Sequence, residues 1–189
     1  MHIRPTIFVL AITTFVSCQN SNKQHADTNE LTATQQEMLN KGWTVQKPNE
    51  DMSKEYGIMP IYGIQDNYFD ITIGKGCSAA VKIMDEQTDK CIRYAYIAEN
   101  TTTTIQDIPQ GTYYLKLAYG SDWMELDTDS IKQGKFTRNV SYERSRDTFN
   151  FGTKNSTEHV NYQLEINVVD SKLENNFEAI PISEEDFMK

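Results

Sequence analysis

The chain has 189 residues, room for one domain of the usual ~100–150 residues and something besides. At 38% hydrophobic and 11% aromatic it carries enough apolar surface to offset the ordering entropy of a core, which excludes a wholly disordered tail. Its 27 acidic against 18 basic residues give a net charge of −9, a sign that repels phosphate backbones and excludes nucleic acid as a partner.

The first element is MHIRPTIFVLAITTFVSC, which opens with Arg4 beside His2 and continues as an uncharged run from Pro5 to Ser17. That run is shorter than the ~20 apolar residues a membrane-spanning helix needs, so residues 1–17 read as an export signal. Its end, Phe15-Val16-Ser17-Cys18, resembles the lipobox of bacterial lipoproteins, with Phe15 where leucine is usual. The resemblance implies cleavage before Cys18 and acyl chains, palmitate among them, on its sulfur and new amino group. One acyl chain holds marginally, at about 0.8 kcal/mol per buried methylene, so several make a lasting membrane anchor. Ordinary secretion, with Cys18 incidental, is the competing reading. Gln19 stands where aspartate marks retention in the inner membrane, and the first acid is Asp27. The same resemblance therefore implies an outer-membrane lipoprotein facing the periplasm.

Residues 18–52 are expected to form the lipidated cysteine and a flexible tether. From Gln19 to Thr34 only Ala26, Leu31 and Ala33 are apolar and no period shows. As a flexible coil, that stretch spans roughly 20–24 Å on average. TQQEMLNKG can form two helical turns, with Thr34 as N-cap, Glu37 as its capping-box partner and Gly42 as the stop. Alone, such a helix is too short to be stable.

From residue 53 to 189 the pattern changes to short strands. VNYQLEINV alternates, with Val160, Tyr162, Leu164, Ile166 and Val168 on one side and Asn161, Gln163, Glu165 and Asn167 on the other. YFDITIG turns Phe69, Ile71 and Ile73 inward, and AAVKIMD turns Ala79, Val81 and Ile83 inward against an outward Lys82. Further strands are predicted at 56–64, 92–98, 101–107, 112–119 and 142–151, parted by turn clusters such as EQTDK, IPQG and GTKNST. Seven to eight short strands with regular turn signals predict an all-β fold, an antiparallel β-sandwich.

Within this body, VKIMDEQTDKCIRYAYIAENTTTTIQDIPQGTYYLKLAYG resembles the prealbumin-like or carboxypeptidase-regulatory-like β-sandwich. The shared layout is a strand ending in Asp85, a D-x-x-T-x-K hairpin, a Thr-rich third strand and I-P-x-G-x-Y-x-L-x-L, over about 40 of the 189 residues. The resemblance implies a non-catalytic module that braces, spaces or binds.

The chemistry-bearing residues are sparse. His25 and His159 are isolated, so neither a metal cage nor a triad is expected, and nothing points to a cofactor. Asp122, Glu125, Asp127 and Asp129 crowd DWMELDTDS, either as a solvated loop or as the paired carboxylates of a hydrolase. An oxidising compartment permits a Cys77–Cys91 disulfide worth roughly 3 kcal/mol. A hairpin centred on Gln87-Thr88 instead sets Cys91 opposite Met84, roughly 23 Å of strand from Cys77, which favours two buried thiols. Tyr94, Tyr96 and Tyr113 share faces with aliphatic residues and read as core. Tyr114, on the parity of Lys116, and Trp123 read as surface aromatics able to meet a sugar ring or a partner protein. Two function classes follow: an envelope lipoprotein with a non-catalytic binding or structural sandwich, or an envelope hydrolase using the acids at 122–129.

Overall fold

The computed structural model describes residues 31–129, 132–153, 157–169 and 172–189. The leader over 1–17, Cys18 and the following stretch to residue 30 lie outside the described residues. From Leu31 to Lys189 the chain forms one compact unit.

That unit begins with α1 (Ala33–Asn40), followed by β1 (Thr44–Val45), β2 (Tyr68–Ile73), β3 (Ser78–Asp85), β4 (Cys91–Ile97) and β5 (Thr101–Ile105). Next come β6 (Thr112–Asp127), β7 (Lys132–Ser145), β8 (Phe149–Asn150), β9 (Asn161–Val169), β10 (Lys172–Asn175), β11 (Ala179–Pro181) and α2 (Glu184–Met188). The chain is mostly β, as expected, in two open sheets of seven and four strands facing each other. The large sheet runs β11-β7-β6-β3-β4 with β1 and β8 also on β6; the small one runs β10-β9-β2-β5. Pairing is antiparallel throughout except between β2 and β9, which run parallel, so the small sheet is mixed. Strands so far apart in sequence are joined by a crossover through the other sheet, which leaves their relative direction unconstrained by any hairpin.

The main core lies between the sheets. Phe69, Ile71 and Ile73 of β2 with Leu164 and Ile166 of β9 meet Ala79, Val81, Ile83, Leu115 and Leu117 of β3 and β6. The inward parity expected for β2, and for Leu164 and Ile166, is the observed one. A second core covers the opposite face of the large sheet: Met52, Ala80, Tyr94, Ala118, Trp123, Phe136 and Phe187, flanked by Tyr56 and Tyr142. It corrects several expectations. Lys82, expected outward, is buried, because α2 and the segment around Met52 lie over it.

The same layer corrects the tether, which does not extend to residue 52. Gln35 and Met52 are buried, and Thr44 and Val45 pair with Glu125 and Met124. The helix exists, but its cap is Thr32 with Gln35 as capping-box partner, two residues earlier than expected; Gly42 (φ +90°) closes it as anticipated. Starting there turns Gln35 inward, where its amide donates to Asp122 and Thr137.

The expected strand at 56–64 does not form. Gly57 (φ +72°) and Pro60 interrupt any ladder, and the chain crosses as irregular structure. The strand expected at 112–119 instead runs on to Asp127, and the one expected at 142–151 is divided: its start belongs to β7, which begins at Lys132 opposite β6, and Phe149–Asn150 form β8. The predicted EQTDK turn is present: Asp85 N donates to Lys90 O (2.8 Å), Asp85 Oδ1 accepts from Thr88 N (2.8 Å), and Asp89 takes φ +56°.

Candidate functional site

The two aromatics expected at the surface are inside. Tyr114 is 3% exposed: the Arg144 guanidinium lies 4.0 Å over its ring and its hydroxyl donates to Asp89. Trp123, also 3% exposed, stacks edge-on with Phe136 at 4.9 Å and Tyr96 at 5.9 Å. Its burial follows from a register shift between Tyr119 and Ser121, where Asp122 takes φ +57°. Alternation restarts beyond this irregularity, so Trp123 falls on the side of Ala118. Gly134 on the neighbouring strand makes room: a Cβ there would sit 2.4 Å from the Trp123 ring.

The expected acidic loop is strand over most of its length, and its carboxylates are dispersed. Asp122 pairs with Arg138 at 2.6 Å and accepts from Gln35 at 3.0 Å. Glu125 is buried, accepting from the Tyr56 hydroxyl (2.8 Å), Trp123 Nε1 (3.1 Å) and Lys132 (3.2 Å). Asp127 lines an open cleft of about 660 Å³ with Lys54, Glu55, Tyr56 and Lys132. Hydrogen bonds from Lys132 (2.7 Å) and Asn49 hold the Glu55 carboxyl below its ordinary range, so it stays ionised at neutral pH and is a poor proton donor. What this arrangement achieves chemically is attachment: through Glu125 and Lys132, the turn at 53–57 is tied to the long hairpin of β6 and β7.

Cys91 stands opposite Met84, and Cys77 and Cys91 are unbridged in this structure. Burial pushes each thiol up to about 11, away from nucleophilic use. Among the described residues no group of three or more His, Cys, Asp or Glu side chains is placed to hold a metal; His159 is exposed.

The surface feature that sequence reasoning missed is the segment Ile58–Ile64. Met59 is 81% exposed, Ile61 49%, Tyr62 55% and Ile64 96%. Its backbone is held at several points. Ile58 N donates to Ser53 O (2.8 Å), Ile61 N to Ile92 O (3.3 Å) and Gly63 N to Asp107 O (2.7 Å). Gly63 has no room for a side chain, since a Cβ would lie 2.8 Å from Ile108 O. Arg93, buried beneath, donates to the carbonyls of Ile61, Ile92 (3.0 Å) and Asp107 (3.3 Å), and its guanidinium lies 3.9 Å from the Tyr62 ring.

Beside this segment, between β5 and the chain laid on the edge of β4, is a cleft of about 260 Å³ bordered by Glu50, Asp51, Tyr62, Arg93 and residues 103–107. The signal that could have found it is GIMPIYGI itself: apolar residues interrupted by glycine and proline, with no polar partner at alternate positions, cannot bury one face of a strand. No family model, curated protein or solved structure matches the chain.

Proposed function

We propose that this chain is a cell-envelope lipoprotein of the outer membrane, fastened through Cys18 and facing the periplasm, whose β-sandwich is a non-catalytic module that docks a partner protein. The anchor rests on the lipobox resemblance at residues 15–18. No helix among the described residues is long and apolar enough to cross a membrane. The observation that supports docking is the exposed, backbone-anchored run of Met59, Ile61, Tyr62 and Ile64. Isolated apolar side chains are ordinary on a surface, but four in six residues, on a backbone whose ordering is already complete, form a preorganised contact. Three of the four are aliphatic, which suits a protein surface better than a sugar ring. Hydrolysis by the acids at 122–129 is less favoured, since Asp122 and Glu125 are engaged in ion pairs.

Two measurements test the reading. Mass spectrometry of the native amino terminus should find an acylated Cys18; an unmodified chain starting at Met1 refutes the anchor. A photo-crosslinking amino acid in place of Ile64 should capture a discrete protein adduct in intact membranes, and Met59→Ser with Ile61→Ser should remove it. Absence of any adduct at position 64 refutes docking through this segment.

A further inference from the structure

We propose that the partner is held by strand addition: an extended segment of alternating basic and apolar side chains pairs with the outer edge of β5. This rests on the docking reading above and names the chemistry of what docks.

The backbone provides the first support. β5 ends the small sheet and is paired with β2 on one side, with no strand on the other among the described residues. Gly74 N donates to Ile166 O (2.8 Å) on the β9 side of β2, and Asn67 O accepts from Ile108 N (3.0 Å) on the β5 side, so the odd-numbered residues of β2 turn their main-chain groups to β5. An antiparallel ladder turns its main chain alternately toward and away from the partner strand, so Phe69, Ile71 and Ile73 bond to Ile105, Thr103 and Thr101, while Thr102 and Thr104 direct their N–H and C=O groups outward. Sheet edges are normally blunted by charge, proline, a bulge or a covering segment. β5 reads TTTTI and carries neither charge nor proline.

The cleft gives the second support. The edge of β5 forms one wall, through residues 103–107. The facing wall is β4, whose edge is already satisfied: Met52 N donates to Tyr94 O (2.8 Å), Tyr96 N to Glu50 O (2.8 Å), and Asp51 stands opposite Ala95. An incoming strand in this cleft therefore finds its main-chain partners on β5.

Charge and apolar surface specify the occupant. Glu50, Asp51 and Asp107 are exposed at the rim. The cation in the walls, Arg93, is buried and bonded to three carbonyls; its single charge acts on Asp51 and Asp107 but offsets only one of the three acids, so the rim stays net negative. An acidic rim favours Lys or Arg on the incoming segment, while Tyr62, which lines the cleft, and neighbouring Ile61 and Ile64 offer apolar contact to the alternate side chains.

The test uses the full chain and a labelled Lys-Val-Lys-Val-Lys-Val-Lys peptide as probe, with a Glu-Val counterpart and a Lys-Val peptide N-methylated at alternate residues as controls. Fluorescence anisotropy should show saturable binding of the Lys-Val peptide alone. Amide exchange at Thr102 and Thr104 should slow by about tenfold or more on binding, as main-chain pairing requires. Glu50→Lys combined with Asp107→Asn should weaken binding by about tenfold, and Thr104→Pro, which removes an outward N–H, should abolish it. Since Thr104→Pro could disturb folding, the N-methylated peptide asks the same question without altering the protein. Equal binding of that peptide, or slowed exchange confined to other strands, overturns the proposal. In membranes, loss of the position-64 adduct in Thr104→Pro supports strand addition. An adduct that survives Thr104→Pro overturns strand addition and leaves docking through the apolar segment intact. No adduct in either form removes the docking reading itself.

Discussion

Phe187→Ala is expected to release the C-terminal helix and lower stability by about 3–5 kcal/mol, the usual cost of truncating a buried phenylalanine. α2 has five residues, too few to hold together in water, so it persists through its contacts with the large sheet. Phe187 is its buried residue, with ring centres 5.5 Å from Tyr142 and 6.3 Å from Tyr94. Lys82 and Lys116 add a polar clamp: Lys82 Nζ donates to Phe187 O (2.9 Å) and Met188 O (3.3 Å), and Lys116 Nζ to Asp186 O (2.9 Å). The Lys82 ammonium also lies 5.0 Å over the Phe187 ring.

That clamp has a large opposing cost. Burial, and then Lys116 directly opposite in register, hold the Lys82 ammonium below its ordinary range. A hydrogen bond from a charged group contributes about 1.5–3 kcal/mol, against several kcal/mol for desolvating a buried ion. The two nearly cancel, so Lys82→Met, similar in volume, should change stability by less than about 1.5 kcal/mol. Urea titration followed by tryptophan fluorescence measures both variants, since Trp123 lies in the same core as Phe187. Amide exchange in α2 reports whether the helix detaches before the sheets open. If Lys82→Met proves the costlier of the two, the helix is held by charge and carbonyl rather than by packing, and this reasoning is refuted.

Gly134→Ala should cost about 1–3 kcal/mol and shift the Trp123 emission, because the added Cβ would lie 2.3 Å from the Tyr56 hydroxyl and 2.4 Å from the indole; wild-type emission and stability would contradict the close approach. Stability should hold from pH 7 to 9 and fall above it. Burial lifts Cys77 and Cys91 to about 11 from 9.0, lifts Tyr113, Tyr114 and Tyr142 to about 12 from 10.0, and pushes Tyr94 and Tyr119 further. Groups whose native pKa is raised contribute fully below the unfolded value, and that contribution is lost as pH climbs through the native one. Lys82, shifted down, acts in the opposite sense but is a single group. A urea midpoint unchanged up to pH 11 would refute the assignment of these groups to the interior.

Much of the sandwich was legible locally. Phe69, Ile71 and Ile73 announce a strand with one buried face, and EQTDK announces its hairpin, because alternation and turn chemistry act over a few residues. The hairpin geometry that set Cys91 opposite Met84 was equally readable, as register follows from turn position. The exposed apolar segment was not. GIMPIYGI carries the apolar content of a strand, and its exposure depends on Asp107, Ile92 and Arg93 pinning it to the rim.

By itself, the sequence determined the all-β class, the parity of β2 and the turns around β3 and β4. Only the tertiary structure decided that the second face of the large sheet is also a core. Tyr114, Lys116 and Lys82 look outward on any count of alternation within their own strands, yet Arg144 and α2 cover them. Periodicity reports which side chains share a face, a property of neighbouring residues. Whether water or protein meets that face is set by segments distant in the chain, and no local pattern encodes their arrival.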